Sequence, residues 1–179
     1  MLPNVCLFQL PFAGNKPEKV EHFLKLSLEN LKLDYVDLYL IHFPVGIRGE
    51  DEHNLFPRDA NGKLLLDFDL NMLTLWKVKE EARYTMHKII SRFLIKAMET
   101  QVDAGRAKAI GLSNFNSHQI ARIVLTSRIK PANLQVEMHA YFQQKQLRAF
   151  CKKHGITVCA YGPLGSRGRV GFSARCGTK

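Results

Sequence analysis

His42 closes a run of β-prone residues, Val36-Asp37-Leu38-Tyr39-Leu40-Ile41, and Pro44 follows two positions later. An imidazole titrates near neutral pH and can donate or accept a hydrogen bond. A histidine at a strand end is therefore a candidate polarising or proton-handling group; taken alone, it reads more readily as a side chain bonded to backbone. Three further strand-like runs also end in polar or glycine-containing residues. Ala109-Ile110-Gly111-Leu112 leads into Ser113-Asn114-Phe115-Asn116, and Leu134-Gln135-Val136 ends in Glu137. Thr157-Val158-Cys159-Ala160-Tyr161 leads into Gly162-Pro163-Leu164-Gly165-Ser166. The carboxyl ends of parallel strands are where α/β barrels and open sheets keep their chemistry. The plainer reading of Ser113-Asn114 is a turn and helix cap. Cys6, Cys151, Cys159 and Cys176 form no CxxC pair and show no metal-ligand spacing, which points to reduced thiols in the cytoplasm.

The elements that would position these groups follow from pattern. The run ending at His42 is nearly continuous in apolar character, as a parallel strand buried on both faces requires. Alternation puts Val36, Leu38, Leu40 and His42 on one side, with Asp37, Tyr39 and Ile41 on the other. Upstream, residues 1–14 read as a short strand or loop. Asn15-Lys16-Pro17-Glu18 opens a helix with proline near its first position and an acid in its first turn. Val20, Phe23, Leu24, Ser27, Leu28 and Leu31 form its apolar stripe. Val45 to Asp69 loses all periodicity and reads as a long excursion, placed to act as a flap over a site. Leu70 to Ala104 reads as one long helix stopped by Gly105. Helices capped by Ser117 and spanning Gln143 to His154 complete an alternation of strand and helix. Repeated units of this kind favour an α/β fold, an incomplete (β/α)8 TIM barrel holding about strands three or four to seven.

The formal net charge is +10. Residues 78–96 contribute +3 of this and the tail after Ser166 contributes +4. The remainder is mildly basic, and no aromatic residues interleave the charges as a stacking platform requires, so a nucleic-acid partner is not expected. No apolar run approaches the ~20 residues that span a bilayer, so no membrane partner is expected either.

Four segments together resemble the aldo-keto reductase family. Leu33-Asp34-Tyr35-Val36-Asp37-Leu38-Tyr39-Leu40-Ile41-His42 is similar to its strand-four signature and Gly111-Leu112-Ser113-Asn114-Phe115 to its strand-five signature. Leu134-Gln135-Val136-Glu137 and Ala160-Tyr161-Gly162-Pro163-Leu164-Gly165-Ser166 are similar to strands six and seven. Glu52 to Asp59 further resembles arthropod members. The resemblance implies NADPH-dependent reduction of aldehydes and ketones, with a small-molecule carbonyl as the partner. It makes His42 the histidine that orients and polarises the carbonyl, and Phe43 an aromatic wall of the substrate pocket. Ser113, Asn114 and Gln135 would hold the nicotinamide carboxamide, and Tyr161 would stack on the nicotinamide ring. Leu164 and Ser166 would belong to the pyrophosphate loop, where Gly162 departs from the usual serine.

The resemblance also sets expectations about what these 179 residues lack. The tyrosine and aspartate that act with the histidine lie on strands one and two, which find no counterpart here. The lysine would stand just before Leu2-Pro3, where the sequence has Met1. Residues 1–166 are therefore expected to be a partial barrel and 167–179 an unrelated tail. Such a chain would associate through its open edges, whereas a full barrel would be a monomer, and it would do the family's chemistry poorly. A non-catalytic barrel that binds cofactor or a protein partner is the alternative. The family pattern joins Trp76-Lys77 directly to Ala97-Met98, so residues 78–96 read as an insertion of nineteen residues. At 100° per residue it turns the two halves of the helix by about 100°. A retained in-frame intron explains its boundaries. The alternative is a genuine inserted helix with the stripe Met86, Ile89, Ile90, Phe93, Leu94 and Ala97.

Overall fold

The computed structural model describes residues 6–47, 57–67 and 93–165. Within them five strands form one all-parallel sheet, β1 (Leu7–Leu10), β2 (Val36–Ile41), β5 (Ala107–Ser113), β6 (Asn133–Glu137) and β7 (Thr157–Tyr161), in that spatial order. Helices α1 (Val20–Leu31), α2 (93–103), α3 (Ser117–Thr126) and α4 (Lys145–Lys153) alternate with them. This is the partial (β/α)8 barrel expected from the pattern. A separate two-residue ladder pairs β3 (Gly46–Ile47) with β4 (Leu66–Asp67), so part of the excursion after the histidine returns as a small antiparallel arm. Residues 48–56 and 68–69 of the excursion, 70–92 of the long helix, Ser166 and the tail 167–179 lie outside the described residues. Among the described residues no helix is long and apolar enough to cross a membrane.

Alternation gives the sheet two unlike faces. Tyr39, Ile41, Ile110, Leu112, Leu134 and Val136 join a single buried cluster with Phe23 and Leu24 of α1, Met98 of α2, Ile120 of α3 and Cys151 of α4. Side chains of this size each contribute about 1.5–3 kcal/mol when taken fully out of water. Leu40, of the opposite parity, is also fully buried but stands apart from that cluster. It lies over Gly111, its register partner on β5.

Local chemistry explains where the helices begin and end. Pro17 starts a 3-10 turn (Pro17–Lys19) that runs directly into α1, and the helix ends where Lys32 takes the left-handed conformation at φ 54°. Lys32 N–H bonds back to Glu29 O and Leu33 N–H to Leu28 O, which satisfies the last carbonyls. The α1 stripe is buried from Val20 to Leu28, but Leu31 is 44% exposed because the helix leaves the sheet at its last turn. The cap of α3 is Asn116 rather than Ser117: its side chain accepts from Gln119 N–H while the Gln119 side chain accepts from Asn116 N–H. In α2 the buried face is centred on Leu94, Ile95 and Met98, and Phe93 is 55% exposed. Phe93 therefore leaves the stripe expected of an inserted helix. Ile95 fills the position three residues before Met98 that the family pattern gives to Trp76. Glu99 secures α2 by accepting the backbone N–H of Arg128 at 2.6 Å and of Ile129 at 2.8 Å.

At the amino-terminal end of the sheet Asp37 accepts from Cys6 N–H and from Lys108 Nζ, both at 2.9 Å. The lysine also lies 4.1 Å from the centre of the Tyr35 ring. These partners hold the Asp37 carboxyl below, and the Lys108 amine above, their usual ranges.

Two substitutions test this packing in opposite directions. The Tyr39 hydroxyl is buried without a partner, and burial holds its pKa far above that of a free phenol. Tyr39→Phe removes that desolvated group and is expected to raise unfolding free energy by about 1 kcal/mol in urea titration. A Cβ on Gly111 would lie 2.5 Å from Leu40 Cδ2 and 2.7 Å from Asn133 O. Gly111→Ala is therefore expected to cost about 1–3 kcal/mol in the same assay.

Candidate active site

Ile41 is the last residue of β2, and His42-Phe43 leaves the sheet at its carboxyl end. Phe12, in the turn after β1, stacks on Phe43 with ring centroids 4.5 Å apart and lies 5.3 Å from the His42 ring. Asn15 holds this exit loop from behind. It is 3% exposed, and its Nδ2 donates to Phe43 O at 2.8 Å and to Val45 O at 2.7 Å. The two carbonyls it grips flank Pro44, which fixes the direction in which the chain departs from His42. Asn15 Oδ1 is buried without a partner. That polar atom costs about 1–3 kcal/mol, which the strap's two bonds must offset.

The end of β5 gathers the remaining groups. Ser113 is 1% exposed, and Asn114 beyond it takes φ 64°, a left-handed conformation that asparagine tolerates better than most side chains. Asn114 N–H donates to Gln135 O at 3.0 Å. Its Nδ2 donates to His42 O at 2.9 Å and to Ser113 Oγ at 3.1 Å, and its Oδ1 accepts from Tyr161 Oη at 2.9 Å. One residue thus touches the ends of β2, β6 and β7 from the end of β5. Gln135 is the register partner of Ser113, and its Oε1 accepts from Nε2 of Gln9 on β1. Among the described residues, no hydrogen bond is seen at Gln135 Nε2 or at the His42 ring nitrogens. The Tyr161 ring is 39% exposed at the end of β7.

His42, Phe43, Ser113, Asn114, Gln135 and Tyr161 are thus brought to one edge of the sheet. Leu164 lies beyond them, fully exposed, after Gly162 turns the chain at φ 58°. The lysine position needs correction. The strand paired with β2 is Leu7–Leu10, and the Leu-Pro pair at its end is Leu10-Pro11, not Leu2-Pro3. The residue before that pair is Gln9, so a neutral amide stands where Met1 was expected. The repeated Leu-Pro pair was the available signal. Nothing in the sequence pointed to Asn15 beyond its place at a helix opening.

The described groups suit a nicotinamide ring. Gln135 Nε2 offers a donor, Asn114 Oδ1 has a second lone pair to accept with, and Tyr161 presents part of an aromatic face.

A profile of the aldo/keto reductase family matches residues 11–175. The chain belongs to this family. It is 45% identical over 154 residues to aldo-keto reductase family 1 member A1 of Gallus gallus, covering 86% of this chain and 40% of that protein. To aldo-keto reductase family 1 member C2 of Homo sapiens it is 42% identical over 156 residues, covering 86% and 41%. The solved aldose reductase of Schistosoma japonicum is similar at a TM-score of 0.72 and 39% identity, covering 95% of this chain and 50% of that one. The aldo/keto reductase chain thus spans about two-fifths of the length of the curated relatives it matches. The family relationship accounts for the partial (β/α)8 fold.

Burial at the sheet edge lowers the His42 pKa in this aldo/keto reductase chain. The neutral imidazole, with one donor and one acceptor nitrogen, is accordingly favoured at neutral pH. The shift also has a sign for stability. The unfolded chain binds a proton at the ordinary histidine pKa and the folded chain only below it, so folding loses free energy as pH falls through that window. Denaturant midpoints at about pH 7.5 and about pH 5.5 should therefore fall further for the native sequence than for His42→Gln. Equal falls would show that His42 is not desolvated.

Proposed function

We propose that the chain binds the nicotinamide end of NADPH and holds an aldehyde or ketone against His42, in the NADPH-dependent reduction of carbonyls to alcohols. The observation that carries this is the Asn114 hub, which joins Ser113, Tyr161 and the backbone of Gln135 beside His42. NADPH, when bound, supplies hydride. Gln135 Nε2 would donate to the carboxamide oxygen, Asn114 Oδ1 would accept from its amino group, and the Tyr161 ring would limit which face is presented. His42, kept neutral by burial, would donate to the carbonyl oxygen and stabilise the charge that grows there. Phe43, stacked on Phe12, would wall the substrate side and exclude water. The proton that completes the alcohol would arrive through water hydrogen-bonded to His42. The substrate would be a small-molecule carbonyl and the compartment the cytoplasm.

One observation favours a second reading, a barrel that binds cofactor without turnover: the strand end beside β2 carries neutral Gln9, which supplies no cation to assist proton transfer.

NADPH binding is measured by calorimetry and NADPH oxidation is followed spectroscopically with a panel of aldehydes. His42→Ala is expected to lower kcat/KM by about 100-fold or more while leaving NADPH affinity within about twofold. Asn114→Ala is expected to weaken NADPH binding itself by about tenfold. Turnover that survives His42→Ala, or a native chain that binds no NADPH, would sink the catalytic reading. Binding without turnover would establish the second.

A further inference from the structure

Gln9 and Gln135 are 126 positions apart, yet their side-chain amides are hydrogen-bonded. In the sheet β1 and β6 are separated by β2 and β5. Three interstrand steps amount to about 14 Å along a flat sheet, more than two glutamine side chains can span. The pair meets because the sheet curves and both side chains cross its concave face. The register places Gln9 level with Leu40 and Leu40 level with Gly111, while Gln135 is level with Ser113, two residues nearer the carboxyl ends and on the same face. Gly111 carries no side chain and Leu40 fills the space over it. The amide pair therefore lies above an apolar floor and directly beside the Ser113–Asn114 cluster.

The direction of this bond has a chemical consequence. Gln9 donates from Nε2, and Gln135 accepts at Oε1. A primary amide has a donor end and an acceptor end, and fixing one fixes the other. Gln135 consequently turns its Nε2 toward the site.

We propose that Gln9 is a positioning residue that sets specificity: by donating to Gln135 Oε1 it fixes which way the Gln135 amide is turned, with Oε1 toward Gln9 and Nε2 toward the ligand, so the site favours a ligand carbonyl oxygen at that point. This rests on the cofactor reading above and extends it to a residue that never touches the ligand. Gln9→Glu should reverse the polarity. A carboxylate can only accept, so Gln135 would rotate, give its Nε2 to the glutamate and present Oε1 to the ligand. The carboxamide of NADPH can then turn its amino group toward Gln135. An acetyl group in the same place has no N–H to offer and cannot adapt.

The test compares, by calorimetry, binding of NADPH and of its analogue in which acetyl replaces the carboxamide. The native chain should bind the analogue no more than about tenfold more weakly than NADPH, because both offer a carbonyl oxygen to Gln135 and only the amino group's bond to Asn114 Oδ1 is lost. Gln9→Glu should discriminate against the acetyl analogue by a further factor of about ten, and Gln9→Lys, which still donates, should behave as the native chain does. A merely structural role for Gln9 would weaken both ligands equally and leave their ratio unchanged, and that result would overturn the inference. A native chain that binds neither ligand would overturn the cofactor reading instead, and the inference with it. Should Gln9→Glu fail to fold, Gln9→Met keeps the volume without the donor. The 15N side-chain amide resonances of Gln135 should then move, and unchanged resonances would equally overturn the inference.

Discussion

The left-handed turn at Asn114 is the constraint on which the candidate site depends. Only because the backbone takes φ 64° there do the amide's nitrogen and oxygen both point back over the sheet. In that position its Nδ2 reaches the carbonyl of His42 and its Oδ1 reaches the hydroxyl of Tyr161. A residue at an ordinary strand end would face one neighbour; this one reaches β2, β6 and β7. A left-handed asparagine stores strain, and it persists because four hydrogen bonds over-determine it.

Beneath that turn, the sheet works by keeping its faces distinct. The helix-facing side is built from apolar residues that alternate along every central strand, and it holds the strand ends in register. The opposite side carries the small residue Gly111 and the amides of Gln9 and Gln135. Leu40 separates the two amides from the lower part of the concave face. The core thus holds the strand ends, and Ser113, Gln135 and Tyr161 at those ends anchor the short loop residues His42, Phe43 and Asn114 that complete the site.

Most of this was legible in the sequence where one period or one motif dominated. The Val36–Ile41 strand, the Thr157–Tyr161 strand and the apolar stripe of α1 through Leu28 stand as the pattern implied. Asn116 displaced Ser117 as a cap because its side chain pairs reciprocally with Gln119, a relation visible in the spacing but outweighed by the serine nearest the helix. Gln9 was missed because two Leu-Pro pairs compete within eleven residues, and only strand pairing decides between them. Asn15 was missed for a deeper reason. Its partners are backbone carbonyls 28 and 30 positions away, and a carbonyl leaves no mark on the sequence.

The two ends of the sheet are held by different kinds of force. At the amino-terminal end the links are ionic, Asp37 with Lys108, solvent-facing and carrying full charges. Around Asn114 at the carboxyl end they are bonds among neutral amides, hydroxyls and carbonyls, and the charged Glu137, bonded to His139, stands outside that network. Salt screens the first kind and leaves the second nearly untouched. Rising ionic strength should therefore loosen the sheet from the end remote from the site, while the site keeps its geometry. The arrangement insulates the geometry around Asn114 from the ionic composition of the surroundings.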